Sequence, residues 1–152
     1  MKLIRRILKW AIPALIIALA VIQLVPVNRT NPPVETEAPA TAEARAILRR
    51  ACYDCHSNET VWPRYSRIAP VSWLVALDVR IGRKKLNFST WNQYTENRQI
   101  KKLKGSWDDV ADGDMPPWIY LPAHPEARLS ADDKAVLRAW SQSMESRDSS
   151  AR

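Results

Sequence analysis

Glycine is scarce in this chain: 3 residues in 152, against 11 prolines. A phosphate-cradling loop or a turn-rich β-sandwich draws on more glycine than that. The prolines suit ordered corners between helices instead. No run alternates apolar and polar residues, so no strand of any length is expected, and no segment repeats another. Phenylalanine occurs once and tryptophan seven times. Tryptophan is large and amphipathic, so this surplus serves either the core or the wall of a large flat ligand. Cysteine and histidine occur only twice each. Any chemistry that needs several soft ligands therefore draws on a very short list.

Acidic residues are outnumbered, 16 against 23 lysines and arginines. This imbalance does not point to nucleic acid. Lys2, Arg5, Arg6 and Lys9 all precede an apolar stretch, the remainder is close to balanced, and no basic–aromatic interleaving is present. Two clusters remain, Arg83-Lys84-Lys85 and Lys101-Lys102-Lys104. They read as solvated helix faces, or as docking sites for an acidic protein partner or an anionic membrane surface.

Residues 1–27 form an N-terminal membrane segment. From Trp10 to Val27 only Gln23 is polar, near the lower length for one transmembrane helix. The four preceding cations hold the N-terminus in the cytoplasm. The expected location is the inner (cytoplasmic) membrane, crossed once, with everything after Val27 in the periplasm. A cleaved signal peptide is the rival reading, because Ala18-Leu19-Ala20 fits a small-x-small cleavage site. Against it, the apolar run continues through Val21, Ile22, Leu24 and Val25. Both readings export the rest of the chain to a compartment that permits disulfides.

Residues 28–42, rich in Pro, Thr and Glu, read as an extended linker that lets the domain behind it reorient. The domain itself, residues 43–145, is all-α. Thr41 caps a helix that runs straight into Cys52. Pro70 opens another, with Trp73, Leu74, Leu77 and Ile81 on one side. Asn87 or Ser89 caps a third, which buries Trp91, Tyr94, Ile100 and Leu103. Ser106-Trp107-Asp108-Asp109 has the form of a capping box for a short helix over 107–112, with Gly113 as its stop. Met115 precedes Pro116 and Pro117, which forces extended backbone there. Ser130 caps the last helix, with Asp133 at its third position. Residues 146–152 read as a disordered tail.

Cys52, Cys55 and His56 sit within five positions, in ACYDCHSNET. Three chemistries use such a cluster. A redox dithiol places Cys-x-x-Cys at the start of a helix in a βαβ setting, whereas here a helix precedes it and no strand is in sight. A zinc site needs three or four protein ligands, and outside the cluster only His124 is left besides acids. Cys-x-x-Cys-His is also the attachment motif of c-type haem, in which both thiols form thioethers with porphyrin vinyls and the adjacent imidazole lies beneath the iron. Export, the lack of other cysteines and the helix leading in all agree with this third chemistry.

The opposite face of the iron then needs a ligand or stays open. Met115, on rigid extended backbone, is the leading candidate, and His124 is the second. Met1 and Met144 are badly placed. His/Met ligation suits a single-electron carrier rather than an enzyme. An open site would suit a haem-based sensor or a peroxidase-like enzyme, although no distal acid–base pair is evident.

The blocks CYDCHSNETVWPRYSRIAPVSWLVALDVRIGRKKLNFSTW and MPPWIYLPAHPEARLSADDK resemble the haem-binding domain family of small, often membrane-anchored, c-type cytochrome-like proteins. The resemblance covers about residues 43–141. It implies a cytochrome c-like fold with one covalent haem c, Cys52 and Cys55 as its anchors, and His56 and Met115 as its iron ligands. Under that reading Trp62, Tyr65, Trp73, Trp91 and Trp118 are candidates to pack on the porphyrin. Arg64 and Arg67 are candidates to pair with its propionates. Core aromatics and solvated arginines are the plain alternative. The expected partners are the membrane and a redox protein, acidic if the basic clusters dock it.

Overall fold

Apolar residues three and four apart set six helices: α1 (Lys2–Ile22), α2 (Ala42–Ala51), α3 (Tyr53–His56), α4 (Val71–Lys85), α5 (Glu96–Asp112) and α6 (Ala131–Ser150). Single 3-10 turns cover Arg64–Arg67, Trp91–Gln93 and Pro125–Ala127. The computed structural model describes residues 2–150, with the side chains of residues 7 and 9–143. Met1, the side chains of Lys2, Arg5, Arg6 and Met144, and residues 151 and 152 of the expected tail lie outside the described residues. Among the described residues the only extended pairing is one parallel bridge, Thr36 to Thr90, so the expected all-α class holds. The chain divides into two units, Met1–Thr30 with Trp62–Asp78, and Asn31–Val61 with Val79–Arg152.

In the first unit, α1 stops at Ile22 and the apolar run goes on without it. Gln23 explains the stop. Its side-chain amide donates to the Leu19 carbonyl at 2.9 Å and to the Ala69 carbonyl at 3.2 Å, and its oxygen accepts from the Ala69 N–H at 2.9 Å. Arg29 donates to the Ser66 carbonyl at 3.2 Å. The apolar part of α1, from Trp10 to Ile22, is about 20 Å long, against a hydrocarbon core of about 30 Å. Among the described residues no helix is long and apolar enough to cross a membrane.

In the second unit, Thr41 caps α2 by accepting from the Ala44 N–H at 3.2 Å. Ala44, Ile47, Leu48 and Ala51 are its buried face. That face meets α6, which also packs on α5. Leu103 and Val110 of α5, Leu137 and Trp140 of α6, and Phe88 complete one core. Ser130 and Asp133 exchange hydrogen bonds at the start of α6, as the sequence suggested. Asp133 also pairs with Arg50 of α2 at 2.6 Å. The α6 backbone continues to Ser150, into the segment read as a tail.

Three local expectations change. The two helices expected over 89–112 are one: Ser106 donates its hydroxyl to the Lys102 carbonyl at 2.7 Å, so it is satisfied inside α5 and caps nothing. The 28–42 segment is extended but not loose. Glu35, Thr36 and Ala38 donate backbone bonds to Ser89 and Phe88, Trp91 donates back to Thr36, and Ala38 is buried. The third change is the face of α4. Trp73, Leu74, Leu77 and Ile81 are exposed, and the buried positions are Ser72, Val79 and Gly82.

Candidate functional site

Gly82 shows why α4 buries its small side. A Cβ at that position would stand 2.4 Å from the Cys55 carbonyl oxygen, so only glycine lets α4 lie against the 52–56 turn. That turn, α3, continues from α2 after a break at Cys52, whose backbone departs from helical values. Cys52 accepts from the His56 N–H at 2.9 Å, closing one helical turn. Positions i and i+4 share a face, so Cys52 and His56 look the same way.

What they face is a cleft of about 890 Å³, mouth included. Its walls are apolar, with Leu48, Leu86, Phe88, Val110, Leu137 and Trp140 among them. Cys52, His56 and Met115 line it together, as do Lys85, Lys101, Lys102 and Asp109. Cys55 is half-buried beside Gly82 and is not one of the lining residues. No disulfide joins Cys52 to Cys55.

His56 is held by Nδ1, which lies 3.1 Å from the carbonyl oxygens of both Gly82 and Leu86. Carbonyls only accept, so Nδ1 carries the proton and Nε2 keeps its lone pair. Burial lowers the His56 pKa, an effect that outweighs the support of those two carbonyls, so the ring stays neutral. Its own carbonyl accepts from the Phe88 N–H at 2.8 Å. A buried polar network braces this junction. The Asn58 N–H donates to the Ser89 hydroxyl oxygen at 2.9 Å, its side-chain oxygen accepts from the Asn87 amide at 2.8 Å, and Arg83 donates to the Ser57 carbonyl at 2.8 Å. Asn87 and Ser89 therefore cap no helix. They tie the 86–89 segment to the histidine, a pairing no local pattern announces.

Met115 is positioned by the end of α5. Gly113 takes the left-handed conformation at φ 83°, which glycine adopts without strain. The Asp109 carbonyl then accepts from the N–H of Asp114 at 2.9 Å and of Met115 at 3.0 Å. The chain is thereby turned so that Met115 and Pro116 reach the cleft. His124 is engaged elsewhere: its ring stacks on Tyr120 at 4.0 Å and meets Glu126 at 3.2 Å, and it does not line the cleft.

The other chemistries lose ground here. Burial pushes the Cys52 thiol up to about 12, reinforced by Cys55, whereas a redox dithiol needs a lowered thiol. Among the described residues no three His, Cys, Asp or Glu side chains converge as a metal site, which a zinc centre requires.

A family model described as a haem-binding domain matches residues 17–143, well over half of the chain. The chain belongs to the haem-binding domain family. No curated protein and no solved structure matches it. Haem fits the cleft on chemical grounds. An imidazole with a bare Nε2 and a thioether line one apolar space, and three lysines offer partners for two carboxylates. The aromatic walls are Phe88, Trp107 and Trp140. Of the candidates for haem packing, Trp91 is buried and stacked on Phe88 at 6.4 Å, outside the lining set. Trp62 and Tyr65 belong to the first unit. Trp73 and Trp118 are exposed. Arg64 and Arg67 are likewise exposed, and the cations at the cleft are lysines the sequence presented only as a charge cluster.

Proposed function

We propose that this protein is a periplasm-facing, membrane-tethered c-type cytochrome that carries single electrons on one covalent haem. The observation that carries the reading is the joint lining of one apolar cleft by Cys52, His56 and Met115, with His56 locked through Nδ1. Cys52 and Cys55 would anchor the haem through thioethers, and His56 and Met115 would hold its iron. The haem supplies a one-electron iron couple.

The chain's own residues set the conditions for that couple. The Gly82 and Leu86 carbonyls hold the imidazole in the tautomer that presents Nε2. The Met115 thioether, as a second iron ligand beside His56, would favour reduced iron and would leave no position for a substrate, which suits a carrier over an enzyme. Apolar walls keep water away, and Lys85, Lys101 and Lys102 balance propionate charge. The same lysines present a positive rim to an acidic redox partner. The membrane tether is supported by α1, where Trp10, Leu15, Ile16, Ile17 and Val21 are all exposed and no side of the helix is reserved for a protein core.

Expression in a host with haem-maturation machinery, followed by acid–acetone extraction, tests the attachment. The haem should stay with the wild-type chain and leave the Cys52→Ala/Cys55→Ala variant. Extraction from the wild type would sink the covalent reading. A high-spin spectrum that binds carbon monoxide at once would favour a sensor with an open site.

A further inference from the structure

The first unit has almost no interior of its own. Among its described residues only Ser66, Ala69 and Ser72 are buried, none of them large. Yet it exposes Ile68 at 59%, Val71 at 41%, Trp73 at 37%, Leu74 at 60% and Leu77 at 38%, beside the apolar side chains of α1. A water-soluble surface rarely carries such a patch without a partner. On α4, Val71, Trp73, Leu74 and Leu77 fall on one side, away from the buried Ser72, and Ile68 precedes the helix, so the patch is a stripe and not a scatter.

Two further observations say what covers it. Gln23, directly after the last helical residue of α1, makes two hydrogen bonds to Ala69, which lies two residues before the start of α4. The end of the apolar helix and the start of the apolar stripe are thus held at the same level. Arg64 and Arg67 are exposed on the turn leading into that stripe, where they suit anionic headgroups. An apolar face with a tryptophan and flanking arginines has the pattern of a helix lying in the bilayer interface.

We propose that Ile68 and the outward face of α4, from Val71 to Leu77, seat in the interface of an anionic lipid bilayer and form a second membrane contact besides α1. This rests on the membrane tether of the proposed function, and not on the haem chemistry. The chain is then laid on the surface along α4 and does not swing on its N-terminal helix alone.

Full-length, haem-loaded protein in phosphatidylglycerol/phosphatidylethanolamine vesicles tests it, with a lipid-borne photoactivatable carbene probe read by tryptic mass spectrometry. Peptides 10–29 and 68–80 report α1 and α4 separately. Both should be labelled, each at least several-fold above peptides of α5. Labelling of 10–29 alone would overturn the α4 contact and leave the tether standing, and labelling of neither would overturn both. Leu74→Glu/Leu77→Glu should cut the label on 68–80 several-fold, with the 10–29 label and the haem spectrum unchanged. Undiminished labelling in that variant would also overturn the proposal. So would a concentration-dependent dimer in detergent that the variant abolishes, because the face would then belong to a second copy. Salt near 1 M should weaken the 68–80 label, and an unchanged label would remove Arg64 and Arg67 from the contact.

Discussion

His56 is committed before any ligand arrives. Two backbone carbonyls accept from its Nδ1–H, and burial disfavours the charged ring, so what the side chain offers the cleft is the Nε2 lone pair. Met115 has no such tie on its side chain, and its position depends on the Gly113 turn and the Asp109 carbonyl. As the proposed iron ligands, the two should therefore respond differently to substitution. Met115→Ala should leave the haem attached but open the sixth position. The ferrous protein should then go from essentially no carbon monoxide binding to near saturation, and its midpoint potential should fall. Optical titration with carbon monoxide and a redox titration check both, and a low-spin spectrum that persists in the variant would exclude Met115. The residues of this site were legible from the sequence because their signals are local: a five-residue motif, and a methionine ahead of two prolines. Asn58, Asn87 and Ser89 were not legible, because their bonds join positions about thirty residues apart.

Among the helices, glycine decides how α4 meets the motif turn. A Cβ at Gly82 would run into backbone 2.4 Å away. Gly82→Ala should cost at least about 2 kcal/mol, since the helix itself must move. Denaturant unfolding at equal haem loading reads it, and an unchanged midpoint would refute this account of α4. The same close approach explains why hydropathy selected the wrong face of α4. The large residues at 73, 74, 77 and 81 look like a core stripe, but the contact with Cys55 has room only for glycine, and Val79 is buried beside it.

The tie between α2 and α6 has a pH signature. Arg50 and the Ser130 backbone hold the Asp133 carboxyl at about 2, below its ordinary value. A depressed carboxyl binds fewer protons folded than unfolded, so its stabilisation is present above about pH 4 and is lost as pH falls through 2. Asp133→Asn should lower stability by about 1 kcal/mol or less at neutral pH, given the partial exposure of the pair. The deficit should vanish towards pH 2 in thermal melts followed by far-UV circular dichroism. A deficit that does not change with pH would assign the effect to lost capping geometry instead.

At the scale of the whole molecule, the segment read as a linker changes how the parts are joined. A proline-rich stretch with no apolar period looks unfolded in sequence, because an extended strap advertises itself by backbone bonds that no composition reveals. Here Thr36 exchanges bonds with Ser89 and Trp91, Ala38 is buried, Trp140 donates to the Pro39 carbonyl at 2.8 Å, and Arg49 pairs with Glu37 at 2.7 Å. The strap thus reaches α2, α6 and the 88–91 segment that braces His56 through the Phe88 N–H. Its release should accompany loss of the core and not precede it. Limited digestion of the full chain with a glutamyl endopeptidase distinguishes the two pictures. A flexible linker would be cut after Glu35 and Glu37 within the first minutes, with the haem spectrum intact. A docked strap should be cut at those sites only under denaturant, at the concentration where the haem spectrum also changes, because both report opening of the same cooperative unit.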